Sequence, residues 1–152
     1  MTARLYPERP IVGVGAVILS EGRVLLVRRR FEPLAARWSL PGGAIELGET
    51  LEAAVAREAL EETGLIVAVG PMIEVFDRIQ RDADDRVRYH YVLVDYLCRP
   101  VGGALAAGSD AAEAVFAAPD ALDPYDLTDK ARAVIEEGLR LARIWPGPLQ
   151  AP

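Results

Sequence analysis

The chain has 152 residues, 51% of them hydrophobic and 26% charged, with a formal net charge of −6 at pH 7. That length suits one domain with a real core, and the acidic balance argues against a long nucleic-acid polymer as ligand, which needs a basic footprint. A single cysteine, Cys98, and a single histidine, His90, exclude an intrachain disulfide, a Cys-rich zinc site and a His₂ or His₃ metal centre.

In chain order, residues 1–10 read as an irregular leader without the apolar stretch of a signal peptide. No apolar run is long enough to span a bilayer, so a cytoplasmic protein with no membrane partner is expected. Ile11 to Leu19 and Val24 to Val27 predict two strands of a hairpin, turned at Ser20-Glu21-Gly22-Arg23. Arg28-Arg29-Arg30 closes the second strand. It is a solvated charge run or, with Arg28 foremost, a contact for substrate phosphate. Phe31 to Trp38 reads as a loop, leading through Pro41-Gly42-Gly43 into a helix expected from about Thr50 to Thr63. Thr50 can cap that helix and Gly64 can stop it, while Leu51, Ala54, Val55 and Ala59 form its apolar stripe.

Further on, Leu65 to Val69 and Ile73 to Phe76 predict strands separated by Gly70-Pro71, and Asp77 to Arg86 a polar loop. Val87 to Cys98 alternates as a long strand, with His90 a structural residue and Cys98 a buried small hydrophobe. Val101-Gly102-Gly103 reads as a turn, Ala104 to Ala107 and Glu113 to Ala117 as short strands, and Pro119 to Leu122 as a helical turn. A final helix runs from Thr128 to about Arg143, with Ala131, Val134, Ile135, Leu139 and Ala142 on one face. The tail from Pro146 to Pro152 reads as loose. No linker or internal repeat divides the chain, and this order of elements implies α+β or α/β layering.

Glu58, Glu61 and Glu62 stand at i, i+3 and i+4, which brings their side chains near one another on a helix. A solvated acidic face is the simple explanation. Three features point past it. Arg57 can pair with Glu61 one turn on, a glycine loop precedes the helix, and Glu49 adds a carboxylate just ahead of it. Hard oxygen donors in this number suit Mg²⁺ or Mn²⁺.

The spacing Gly43, five residues, Glu49, seven residues, then Arg57-Glu58-Ala59-Leu60-Glu61-Glu62-Thr63-Gly64-Leu65 resembles the Nudix box of the Nudix hydrolases. Ala59 stands where the family usually has a bulkier aliphatic residue. The resemblance spans about residues 10–144 of a single expected domain, 1–152. It implies a mixed sheet sandwiched between helices (α/β/α, class α+β) and Mg²⁺- or Mn²⁺-dependent attack of water on a pyrophosphate bond. It further implies Glu58, Glu61, Glu62 and the Gly42 carbonyl as metal ligands, Arg57 as the group orienting the glutamates, and Glu49 in support. The general base is left open among Glu58, Asp84, Asp85, Asp110 and Glu113.

Substrate choice lies outside the box. Arg28 is a candidate for phosphate; Trp38 and Phe76, with Tyr89, Tyr91 and Tyr125, are candidates for stacking on a base. The signatures of NADH-cleaving and coenzyme A members are absent. Resemblance of the C-terminal half to small bacterial members suggests ADP-ribose or a nucleotide sugar. A (d)NTP hydrolysed to its monophosphate and a ligand-sensing domain without turnover are the alternatives. The expected partner is a small phosphorylated nucleotide, with a homodimer left open. Glu52, six residues before Glu58, is expected to be a solvated charge well away from the acidic cluster.

Overall fold

The computed structural model describes residues 4–30, 35–108 and 111–148. Strand β1 (Ile11–Ser20) and strand β2 (Arg23–Arg29) form the expected hairpin, with Ser20 opposite Arg23. Its two central residues, Glu21 and Gly22, have φ of 51° and 76°, the handedness a two-residue hairpin turn requires. Strands β3 (Trp38–Ser39) and β4 (Gly42–Ala44) follow, then helix α1 (Leu51–Thr63). Thr50 caps α1 by accepting from the Ala53 N–H at 3.1 Å. Gly64, at φ 76°, ends it with an N–H to the Leu60 carbonyl. Strands β5 (Leu65–Arg81), β6 (Val87–Gly103) and β7 (Ala111–Ala117) come next. A short 3₁₀ turn (Asp123–Tyr125) and helix α2 (Asp129–Ala142, capped by Thr128) complete the described chain.

Among the described residues the strands join in one seven-stranded mixed sheet, ordered β3-β2-β1-β6-β5, with β4 on β1 and β7 on β2. β1 runs parallel to β6 and antiparallel to β4. It is buried on both faces, which is why its sequence is continuously apolar. Val14, Ala16 and Ile18 pack with Ala54, Val55 and Ala59 of α1; Val17 and Leu19 pack with Val134 and Ile135 of α2. The helices therefore cover opposite faces, and the α+β sandwich expected from the resemblance is what the chain builds.

Five local expectations are corrected. β5 continues through Gly70-Pro71, because register shifts between Val69 and Met72 absorb the proline and β5 is an edge strand that can spare an N–H. Asp77 to Arg81 belongs to β5, so the loop shrinks to a tight turn. There Asp82 accepts from the N–H groups of Asp84 and Arg86. Val101 to Gly103 extends β6, and Ala104 to Ala107 is not a strand. That segment lies against the end of α1, with the Ala106 N–H on the Thr63 carbonyl. The helical turn falls at Asp123–Tyr125, later than Pro119 to Leu122. No described helix is long and apolar enough to cross a membrane.

Candidate active site

Arg57 is the hub of the box. Its guanidinium donates to both Glu49 oxygens at 2.7 and 2.8 Å, to Glu58 at 2.9 Å and to Glu61 at 3.2 Å. It also donates to the Ala44 carbonyl at 3.1 Å, which ties the helix to β4. This fork holds the Glu49 carboxyl at about 2, well below its ordinary value. Arg57 itself is raised, first by Glu49. Glu58 moves the other way: burial raises its pKa, and Arg57 offsets that only in part.

The three box glutamates are not equivalent. Glu58 and Glu62 are buried beside Ala54, Val55 and Ala59, while the Glu61 side chain is 52% exposed. At about 100° per residue, Glu61 and Glu62 lie on opposite sides of Glu58, and only Glu62 turns inward. Glu62 accepts from the Gly42 N–H at 3.0 Å. The glycine edge is what admits these groups. A Cβ on Gly43 would sit 2.5 Å from the Glu58 carboxyl carbon, and one on Gly42 would sit 2.1 Å from the Val14 carbonyl oxygen.

Among the described residues no three His, Cys, Asp or Glu side chains are arranged, as they stand, to hold a metal ion. The donor chemistry nevertheless fits one. The side-chain donors at the glycine edge are carboxylate oxygens, and Glu58 is a buried carboxylate whose charge is under-compensated. Glu58, Glu61 and Glu62, with the Gly42 carbonyl, are the groups that would hold it.

Next to this edge, on the α2 face, lies a cavity of about 460 Å³. Trp38, Leu40, Phe76 and Asp95 are among its walls, and Lys130 stands 4.6 Å over the Phe76 ring while pairing with Glu74. Asp95 lies in register with Gly15, whose absent side chain leaves room for the carboxylate. Burial, then the Glu74 charge, pushes Asp95 up to about 6.

The structure thus gathers Gly42, Glu49, Arg57, Glu58, Glu61 and Glu62 at one edge, and Trp38 and Phe76 in the adjoining cavity. It does not bring in Arg28, which pairs with Glu113 at 2.7 Å between β2 and β7. Its neighbour Arg29 lines the cavity instead. Asp84 and Asp85 are exposed on the β5–β6 turn; from Leu93, opposite Gly13, to Val87 at that turn is about 20 Å of extended strand. Asp110 lies outside the described residues. Tyr89 stacks on Tyr91, and Tyr125 meets Trp38 edge-on at 5.1 Å. Asp95, Arg78 and Lys130 escaped the sequence reading. Asp95 did carry a signal, as the lone charge in the apolar run from Tyr91 to Cys98.

Residues 9–138 match the NUDIX domain family. This chain belongs to the NUDIX family. It is 41% identical over 113 residues to the ADP-ribose pyrophosphatase of Methanocaldococcus jannaschii, covering 74% of this chain and 64% of that protein, so it spans less than two thirds of that relative. A Bacillus subtilis relative with the provisional name 8-oxo-dGTP diphosphatase is 30% identical over 123 residues, 80% of this chain and 76% of its own. The crystal structure of a MutT NUDIX hydrolase from Burkholderia pseudomallei superposes with a TM-score of 0.72 at 34% identity, covering 86% of this chain and 98% of that one.

Proposed function

We propose that this NUDIX domain is a Mg²⁺-dependent pyrophosphohydrolase whose substrate is a nucleoside diphosphate linked to another group, ADP-ribose or a nucleotide sugar. The observation that carries the reading is the complete box network, in which Arg57 binds Glu49, Glu58 and Glu61 while Glu62 holds the glycine edge. The adjoining cavity of about 460 Å³ is of ligand size. When bound, the ion supplies neutralisation of phosphate charge and acidification of a water.

The chain's own residues do the rest. Arg57 fixes the glutamates, and Gly42 and Gly43 let backbone and carboxylates approach the phosphates closely. Trp38 and Phe76 offer apolar walls to a nucleoside. Water adds to one phosphorus, the bridging P–O bond breaks, and the leaving phosphate takes the electron pair. A carboxylate accepts the water's proton; of the candidates, Glu58 is the one seated against the glycine edge. The B. subtilis relative's name supports a second reading, hydrolysis of a (d)NTP. The completeness of the network argues against a sensor without turnover.

A panel of ADP-ribose, nucleotide sugars and (d)NTPs, with phosphate-release readout, tests this. EDTA should abolish turnover and Mg²⁺ restore it. Glu61→Gln should lower kcat by orders of magnitude, while exposed Glu52→Gln should leave it near wild type. Equal losses from the two substitutions, or full activity without metal, would sink the proposal.

A further inference from the structure

Residues 4–6, ahead of β1, are fastened at one end and reach the glycine edge at the other. The fastening is Tyr6. Its N–H donates to the Arg88 carbonyl at 2.8 Å, its hydroxyl donates to Asp82 at 2.7 Å, and Arg86 stands 5.0 Å over its ring. Asp82 is a constant acceptor. The Tyr6 hydroxyl, then the Arg86 backbone N–H, hold its carboxyl at about 2, so it is ionised at any working pH. Tyr6 has φ of 50°, a conformation that a non-glycine residue keeps only where its surroundings enforce it.

Two residues earlier, Arg4 lines a small cleft of about 70 Å³ together with Gly43 and Ala44. Gly43 is the residue against which the Glu58 carboxylate is seated. Burial raises the Glu58 pKa; Arg57 draws it back most, and the Arg4 charge adds to that pull. Among the described residues the ion pairs of Glu58 and Glu61 go to Arg57, so Arg4 acts on Glu58 from beyond ion-pair distance. Arg29 and Arg78 line the same cleft, so Arg4 is attracted by Glu58 and repelled by like charges. Arg4 is exposed, and Leu5 and Tyr6 are 47% and 42% exposed. Little apolar area holds this segment down, and a segment held by one tyrosine opens at low cost.

We propose that residues 4–6 form a strap that lays the Arg4 charge at the glycine edge and competes there with a divalent cation. This rests on the reading of that edge as the cation site and adds a self-masked state to it. Docked strap and bound cation are alternatives, because both bring positive charge to Glu58 in a cleft that already holds Arg29 and Arg78. The strap lends Glu58 charge when no cation is present, and a cation lifts the strap. By linkage, the factor by which the strap weakens cation binding is the factor by which the cation weakens strap docking.

Mn²⁺ titration, followed by the EPR signal of the free ion at low and moderate salt, compares wild type with Arg4→Gln, Tyr6→Phe and Arg9→Gln. Arg9 is exposed and lines neither recess, so its variant controls for net charge. Arg4→Gln should bind Mn²⁺ about three- to tenfold more tightly at low salt, a gain that shrinks as salt rises. Tyr6→Phe keeps every charge and loses only the hydroxyl that holds the strap, so it should move the same way by a smaller factor. Arg9→Gln should stay near wild type. Hydrogen exchange at the Tyr6 N–H, followed by NMR, should quicken when Mg²⁺ is added. Unchanged or weaker Mn²⁺ binding in Arg4→Gln, wild-type affinity in Tyr6→Phe, an equal gain in Arg9→Gln, or Tyr6 exchange indifferent to Mg²⁺ overturns the strap. Any of these beside Mg²⁺-dependent turnover sinks the strap alone. The expected affinities and exchange, with no turnover of any anhydride, sink the hydrolase reading and leave the strap standing.

Discussion

Gly43→Ala separates the fold of the box from its chemistry. The added methyl would sit 2.5 Å from the carboxyl carbon and Oε1 of Glu58 and 2.7 Å from Oε2. Ordinary contact begins near 3.5 Å, so the carboxylate must retreat by about 1 Å. It can, because it is the far end of a flexible side chain, but retreat weakens its 2.9 Å bond from Arg57. A charge-assisted bond is worth about 1.5–3 kcal/mol, and the stiffer unfolded-state chain of Ala returns about 0.4–1 kcal/mol. A net stability loss of about 1–2 kcal/mol is expected. A displacement of that size at a reacting group costs about 10²-fold in rate. Gly22→Ala is the matched control. It has nothing within 4 Å, and its cost comes from φ of 76°, about 1–2 kcal/mol, far from the box. The assay is kcat at saturating Mg²⁺ beside urea unfolding for both variants. Similar stabilities with kcat lowered in Gly43→Ala alone is the expected result. Wild-type kcat in Gly43→Ala, or equal losses in both, would refute the view that this glycine exists to seat Glu58.

The neighbouring position should fail differently. In Gly42→Ala the methyl meets backbone, 2.1 Å from the Val14 carbonyl oxygen and 2.9 Å from the Gly15 Cα. β4 must then part from β1, and a loss above about 4 kcal/mol in urea unfolding is expected; a folded variant within 1 kcal/mol of wild type, roughly, would contradict it. Asp95→Asn should change stability with pH. The folded pKa, about 6, lies above the ordinary carboxylate value, so the folded state binds the proton more tightly and the ionised group opposes folding. That penalty is absent below the unfolded pKa, grows as pH rises toward 6, and is complete above it, at about 3 kcal/mol in order of magnitude. Asn should therefore stabilise at pH 8 more than at pH 4; an equal effect at both pH values would discount the burial argument.

What could be read from the sequence and what could not divide along sequence distance. The α1 caps, its stripe and the box spacing are local, so Thr50, Gly64 and the Glu49–Arg57–Glu62 set were legible before the fold was known. The cavity is built from β1, β2, β3, β4, β5, β6 and α2, brought together by the parallel pairing of β1 with β6. No local pattern reports that pairing. Arg28 and Arg29 show the consequence. They are adjacent in sequence, but the irregularity of β2 against β7 falls between them, and strand alternation sends one to Glu113 and the other to the cavity. β5 misled for a related reason. Gly70-Pro71 is a strong breaker, yet an edge strand can bulge around a proline that a central strand would reject.

The box also shows how one cation can set two carboxylates to opposite purposes. Arg57 bonds both Glu49 and Glu58 at similar distances. Glu49 receives two parallel bonds from the guanidinium and is held at about 2, so it stays charged across the whole working range and serves as a fixed anchor for the fork. Glu58 receives one such bond and lies in the interior, so burial outweighs Arg57 and its pKa rises. Of the two, its charge is the less supported by the fold, so a second positive charge at the glycine edge would be felt more strongly at Glu58 than at Glu49. The inequality between the two glutamates comes from the geometry of one guanidinium and the depth of one helix face, and it leaves the Glu58 charge only partly compensated by Arg57.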